Sequence, residues 1–484
     1  TEPSGLEYRT EYDARDGVTR QAWGDPEQGR EIVYKRVVTD GWEGAGSHVP
    51  ASALAEVTDG EGRVWRYVRD AAFNLTRIEA PAEGPVGQSF DSQGRRTRQS
   101  FADGSSEELV WDDAGRLFQR IFSGAARGAR LELEYDELGR VKRLTDPLLT
   151  ESRSFDPGIG WRQVAITPHE ALGEASRFVL SRSRSAAGTV RHEIGATAFT
   201  QHRDFDGKVS RVVRSTPGVG DERDVLVATF DAARRLETLA RGNGVTTRRV
   251  YDEHGRVARQ EEQTPGGTVV FEWTYDAAGR PATRTVFGVT RTYGYDAFNQ
   301  LASCSDTLQS WTYDKAGARA SAGGVAWSRD AGGRLVDDGQ FTYAWDTLGR
   351  RVRRTSKADP SQVTEYVWGA GGRLASVRQG GEQVASYDYD GSGRRVRRTV
   401  AAGSWRYGYL PDTDRPVRVV EPDGTEWHLV HAWASAPYTL AVSGSRARYV
   451  HVDPFERVIG VSDETGALTV LQEDCLGLRY SAAE

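Results

Sequence analysis

Apolar residues alternate along one short stretch of this chain: Val269, Phe271, Trp273 and Tyr275, with Glu272 and Thr274 between the last three. Period-two alternation with aromatic residues predicts a β-strand with one packed face. The same approach recurs at Phe341, Tyr343 and Trp345 and at Tyr387 and Tyr389. Each run ends in an aromatic residue, an Asp, two variable residues, and then Gly or Asn. The aromatics are Phe90, Trp111, Tyr135, Tyr251, Tyr275, Tyr295, Tyr313, Trp345 and Tyr389. The turns that follow run from Asp91 to Gly94, Asp112 to Gly115, Asp136 to Gly139, Asp252 to Gly255, Asp276 to Gly279, Asp296 to Asn299, Asp314 to Gly317, Asp346 to Gly349 and Asp390 to Gly393. In the regular stretches successive motifs fall about twenty residues apart, which marks an internal repeat.

Each motif position has a physical task. The Asp side chain accepts a hydrogen bond from the backbone two residues on and starts a reversal. The fourth residue after the aromatic needs a positive φ, which Gly supplies without steric cost. Asn, the next best residue in that conformation, is expected to take the place at Asn299 and Asn74. Arg234 stands there after Phe230-Asp231, at an expected cost of roughly 1 kcal/mol or a change of turn type. Between motifs come second turns, at Pro265-Gly266-Gly267, Gly380-Gly381 and Asp103-Gly104. One unit is therefore strand, Asp turn, strand, glycine turn, with the motif aromatics on one face forming a ladder. Single hairpins are barely stable in water, so the units must pair edge to edge into a long sheet that twists and curls.

Composition fits a thin sheet. Only 38% of residues are hydrophobic and 27% are charged, but 47 are Phe, Tyr or Trp, too many for a disordered chain. A sheet wetted on both faces has this balance. Net charge is −6, and no basic block stands apart, so nothing marks a nucleic-acid footprint. No apolar run has the length of a membrane span, and no signal peptide opens the chain. The start at Thr1, without Met, suggests a processed or excised fragment. The sole short helix candidate is Pro168 to Gly173. The expected organisation is irregular capping hairpins over 1–66, repeats over 67–150, degenerate repeats or an insertion over 151–204, repeats over 205–401 and a distinct end region over 402–484. Loose features of the first part are Tyr12-Asp13 with Gly17 and a glycine-rich stretch from Gly41 to Ser47. Phe155-Asp156-Pro157-Gly158 reads as a degenerate turn.

The repeated Tyr-Asp-x-x-Gly-Arg turns resemble the YD repeats of bacterial Rhs proteins, insecticidal toxin-complex subunits and animal teneurins, over roughly residues 60–480. Arg448-Tyr449-Val450-His451-Val452-Asp453 and Ser462-Asp463-Glu464-Thr465-Gly466-Ala467-Leu468 resemble the end of the Rhs core. Two departures stand out: Pro454-Phe455-Glu456 replaces the usual Leu-Gly-Ser, and Glu473-Asp474-Cys475-Leu476-Gly477 replaces Tyr-Asp-Pro-Phe-Gly. The family's plug and Asp-Pro-x-Gly-Leu cleavage motif are not in this sequence, so no autoproteolytic residue carries over. The resemblance implies an all-β hairpin array, a strip spiralling into a partial or complete hollow shell around a toxic cargo. It also implies a secreted or surface bacterial protein, with an enclosed polypeptide or a partner chain completing the shell. An alternative role is extracellular binding of glycans or a cell surface through rows of Tyr, Trp and Arg; a glycan-acting enzyme ranks last.

Candidate chemistry is sparse. The repeated Asp residues invite comparison with paired catalytic carboxylates, but a turn role accounts for them fully. His428 and His431, three apart on a strand, face opposite sides and make a poor metal site. Cys475 with His451 lacks an orienting third group, and His451 and Asp453 read as another turn. Cys304 and Cys475 form no disulfide framework and read as buried thiols. Gly371-Gly372-Arg373 and Gly391-Ser392-Gly393 lack the Lys-Ser/Thr of a phosphate loop. The Arg after each turn Gly is expected to pair with a carboxylate on the neighbouring hairpin and stack on the motif aromatic. No catalytic, metal or cofactor residue is nominated, and no cofactor is expected.

Overall fold

The computed structural model describes residues 8–12, 18–23, 30–38, 52–124, 130–157, 160–170, 172–185, 189–305, 309–411, 413–431 and 439–471. Asp13, Gly17, the Gly41–Ser47 stretch, Gly158 and the Glu473–Gly477 segment lie outside them. The described residues form 44 strands, and their only helices are single 3-10 turns at Glu174–Ser176 and Ala370–Gly372. The protein is thus all β. The helix candidate at Pro168 is corrected: Pro168 ends the strand Gly160–Pro168, and the first 3-10 turn begins only at Glu174. Among the described residues no helix is long and apolar enough to cross a membrane.

Strands consecutive in sequence pair antiparallel within two sheets of 29 and 15 strands, and the break falls between Val325–Ala326 and Ser328–Arg329. Register slips by one residue just before each Asp turn, as between Val250 and Tyr251 opposite Arg259 and Val257. This is the β-bulge expected when a type I turn is followed by a left-handed residue. The intervening turns are tighter. Gly380 and Gly381 have φ of 58° and 89° and join Gln379 directly to Glu382, a two-residue loop of the twist-matched type. The stretch 151–204 also carries hairpins, from Leu149–Asp156 through Thr197–Arg203.

The chain divides into two compact units. One comprises residues 1–132, 277–280 and 293–387; the other comprises 133–276, 281–292 and 388–484. Both are therefore discontinuous in sequence.

The second unit has a real interior. Phe199, Val212, Leu226 and Leu239 pack with Val430, Leu440, Val442 and Tyr449 in one buried cluster. Phe271 and Trp273 of the opening alternation stack 6.2 Å apart and pack with Ile459 in another. The expectation of a sheet wet on both faces does not hold here. Hairpins from distant parts of the chain cover each other and supply the core that no single hairpin can.

Candidate functional site: the repeated turn and the hairpin seams

At Asp252 the turn works as a closed circuit of hydrogen bonds. Asp252 Oδ1 accepts from the backbone N–H of His254 (3.0 Å) and of Arg256 (2.9 Å). The Gly255 N–H donates to the Asp252 carbonyl at 3.0 Å, with Gly255 at φ 79°. Arg256 Nε then donates to Asp252 Oδ2 at 2.8 Å. The same Arg-to-Asp clip closes the turns at Asp91, Asp112, Asp136, Asp231, Asp346 and Asp390. The remaining turn residues follow suit: Gly94, Gly115, Gly139, Gly279, Gly317, Gly349 and Gly393 all have positive φ, as does Asn299. Backbone donors make three of these carboxyls more acidic. The N–H of the following Arg holds the carboxyls of Asp91, Asp112 and Asp231 below the usual aspartate range.

Several sequence expectations need correction at this point. The Arg after the turn Gly salt-bridges the Asp of its own turn, because a residue four places on lies across the bulge from the Asp; Arg350 and Arg394 also reach carboxylates elsewhere, Asp103 and Glu151. Asn74 does not take the glycine place. Phe73 does, at φ 69°, while Asn74 stands in the Arg position and donates to both Asp70 oxygens. Arg234 keeps the turn type at φ 64°, and its guanidinium salt-bridges Asp204 and Asp206 and lies 5.2 Å from the Phe230 ring. Further turns of identical geometry stand at Asp59, Asp204, Asp330 and Asp453 without a preceding aromatic. Their signal was an Asp followed four places on by Arg or Lys. At Asp453 the left-handed place is held by Glu456, at φ 63°.

Each turn is also wired to the next hairpin. The Arg235 guanidinium lies 4.1 Å from the Tyr251 ring centroid, Arg256 lies 4.4 Å from Tyr275 and Arg280 lies 4.3 Å from Tyr295. Arg95 and Arg334 reach Trp111 and Trp345 in the same way. The aromatic's polar end answers. Tyr251 Oη donates to the Leu236 carbonyl, Tyr275 Oη to Val257 and Tyr313 Oη to Leu301, at 2.7 to 2.8 Å. Trp111 and Trp345 Nε1 donate to Arg96 and Leu335 at 2.9 Å. In every case the acceptor sits five residues after the previous turn's Asp. The motif is therefore a relay: Asp sets the turn, Arg clips it, and the next aromatic locks onto both.

Within each unit, segments far apart in sequence meet along seams. In the first unit Lys315 N–H donates to Glu61 at 2.9 Å, Arg350 bridges to Asp103 at 3.1 Å and Arg30 stacks on Phe298 at 4.4 Å. In the second, the Gly391 N–H donates to Asp146 at 2.6 Å, and Arg394 bridges to Glu151 at 3.0 Å. Farther along, Gln201 reaches the His431 carbonyl at 3.1 Å and Asn243 reaches Ser462 at 2.9 Å. Burial reverses the chemistry at the Asp390 turn: Asp390, like its neighbour Asp146, is pushed above the usual aspartate range.

One polar chain inside the second unit joins residues that no local motif marks. His451 Nδ1 lies 2.7 Å from Glu262 Oε2, and His451 Nε2 lies 2.8 Å from Ser462 Oγ. The order Glu–His–Ser is that of a hydrolase triad. All three residues are fully buried, however, and Ser462 Oγ also accepts from Asn243, so no substrate carbonyl reaches the hydroxyl. His428 pairs with Glu426 and His431 with the Pro416 carbonyl, each at hydrogen-bond distance, and no metal-holding cluster occurs among the described residues. Cys304 is buried, and Cys475 lies outside the described residues. An open polar cleft of about 520 Å³ lies over Ser154, Phe155, Gln163, Ser181 and Glu193.

No family model matches the chain. It is 24% identical over 449 residues to the double-stranded DNA deaminase toxin A of Burkholderia cenocepacia, covering 71% of this chain and 31% of the toxin. It is 26% identical over 423 residues to the probable deoxyribonuclease RhsA of Dickeya dadantii, covering 76% of this chain and 28% of that protein. The chain thus spans about a third or less of these relatives. The Photorhabdus luminescens Tc holotoxin pore structure superposes over 98% of this chain and 27% of its own, with a TM-score of 0.74 and 15% identity. A TcdB2-TccC3-Cdc42 crystal structure covers the same 98%, with a TM-score of 0.69 and 15% identity. Repeat, hairpin fold and relatives agree: this chain resembles the YD-repeat proteins of the Rhs kind and shares the hairpin fold of the toxin-complex structures.

Proposed function

We propose that the chain is a wall segment of a toxin-bearing shell, whose work is mechanical: it holds a polypeptide cargo apart from its surroundings. The observation that carries this reading is the pair of seams. Side chains bridge positions 247 to 270 residues apart in the first unit and 189 to 245 in the second. A sheet that serves only as a binding platform has no need to fasten its hairpins to others so far along the chain. Among the described residues, the repeated Asp, Arg and aromatic side chains cited above are engaged in turns and relays, which supports a structural role for them. We infer that the deaminase and nuclease activities in the relatives' names belong to parts of those proteins outside the matched stretch. A secreted or cell-surface location goes with this role. The glycan-binding alternative gains nothing from these relatives.

Electron cryomicroscopy of the natural full-length gene product tests the proposal. Additional density enclosed by the hairpin wall is expected. A wall with empty solvent on its concave side and an accessory domain folded outside it would overturn the reading.

A further inference from the structure

The Glu262–His451–Ser462 chain joins two hairpins nearly two hundred residues apart, and its proton count is tightly constrained. Glu262 Oε2 accepts from His451 Nδ1–H and from Thr247 Oγ1 at 2.8 Å, and Glu262 Oε1 accepts from Gln260 at 2.8 Å. In the neutral ring with its proton on Nδ1, His451 Nε2 accepts from the Ser462 hydroxyl, whose oxygen receives Asn243. This arrangement satisfies a neutral imidazole. Arg241, also buried, lies 3.6 Å from Glu262 and balances its charge. Tyr449 and Arg249 complete the polar surroundings; Arg249 donates to the carbonyls of Val452 and Asp453 at 3.3 and 3.4 Å.

We propose that this chain is a pH-sensitive latch, which holds the strands Arg446–Val452 and Val458–Ser462 against Val257–Thr264 and releases them when His451 takes up a second proton. Protonation makes Nε2 a donor, so the Ser462 hydroxyl proton loses its acceptor while the oxygen takes both Asn243 and His451. It also leaves a dry site holding two cations and one carboxylate, which burial penalises heavily. Burial and the nearby Arg241 both press the His451 value below the ordinary one, despite Glu262. A folded value below the unfolded one gives stability that is complete above the ordinary histidine range and lost as pH falls through it.

A second site on the same seam titrates in the same direction. His192 faces Arg182 and His431, and burial pushes it down to about 4. His431 faces Arg415 and the Pro416 carbonyl and is lowered by burial.

Hydrogen exchange of the full chain between pH 7.5 and 5.0, corrected for intrinsic rates, tests the latch. Protection of residues 446–462 should fall about tenfold per pH unit below roughly pH 6. The hairpin of Phe341–Trp345 and Arg351–Ser356, in the other unit, should stay constant. His451→Gln, which cannot gain charge, should flatten much of the response. If that variant does not fold, nitrogen NMR of labelled histidine in the native chain replaces it. Loss of the Nδ1–H tautomer should then coincide with loss of protection. Unchanged protection at pH 5, or an equal acid response in His451→Gln, would overturn the proposal.

Discussion

The hydroxyl of Tyr251 donates to the backbone carbonyl of Leu236 at 2.7 Å, which ties one motif aromatic to the hairpin before it. Tyr251→Phe keeps the ring under Arg235 but removes this bond, and should cost about 1 kcal/mol in a urea-unfolding midpoint. Tyr313→Phe should do the same through Leu301. The two share no partner, so the double variant should be additive; a coupling well above ~0.5 kcal/mol would contradict a chain of local relays.

The left-handed place of the turn makes reciprocal substitutions informative. Gly139 has φ 77° with open space where a Cβ would go, so Gly139→Ala isolates backbone strain and should cost about 1–2 kcal/mol. Glu456, at φ 63° in the equivalent place, should gain a similar amount on Glu456→Gly. Denaturant midpoints of both variants check the pair, and equal signs would refute the assignment of Glu456 to this slot.

Acid should unfold the array through its turns. Asp91, Asp112 and Asp231 have folded-state pKa values below their unfolded ones, so their contribution is full above about pH 4 and is lost as pH falls through that range. Asp390 acts oppositely. Its value is raised by burial, so its contribution is present at low pH and is lost as pH rises through the folded value. Circular-dichroism melts from pH 7 to 3 should show Tm dropping below about pH 4, and more steeply in Asp390→Asn. A Tm flat to pH 3 would be inconsistent with carboxylate-set turns.

The seam of the second unit leaves no room at Gly408. A Cβ there would lie 2.4 Å from Phe178 Cε1, on a strand more than two hundred residues earlier. Gly408→Ala should therefore destabilise this unit by about 1–3 kcal/mol through overpacking. Trimming Phe178 to Leu in the same chain should recover part of the loss. Unfolding curves of the single and double variants read both effects.

The turns were legible in sequence because Asp, Gly and Arg are all local: one residue starts the reversal, one permits it, and four positions suffice to show it. Phe73 and Glu456 escaped notice because neither residue type is favoured at positive φ, and the surrounding hydrogen bonds hold them there. The stacking of the turn Arg on the next motif aromatic was legible, but its clip to the Asp of its own turn was not, because spacing along the chain does not show which side of a bulge a side chain crosses. The seams were not legible at all. Glu262, His451 and Ser462 are ordinary strand residues in their own hairpins, and only the return of a segment about two hundred residues later makes them a network. The wet two-faced sheet was mistaken in the second unit for the same reason: the apolar face of Phe199 to Leu239 finds its cover near Val430 to Tyr449.

Protease kinetics on the natural full-length product test the central claim, that this hairpin array walls off a polypeptide. A cleavage site engineered into the cargo segment should be cut at least a hundredfold more slowly than the same site in the isolated cargo. Loosening the wall with Gly408→Ala should raise that rate toward the free value. Cleavage of the cargo at the free rate while the array remains intact would contradict the account.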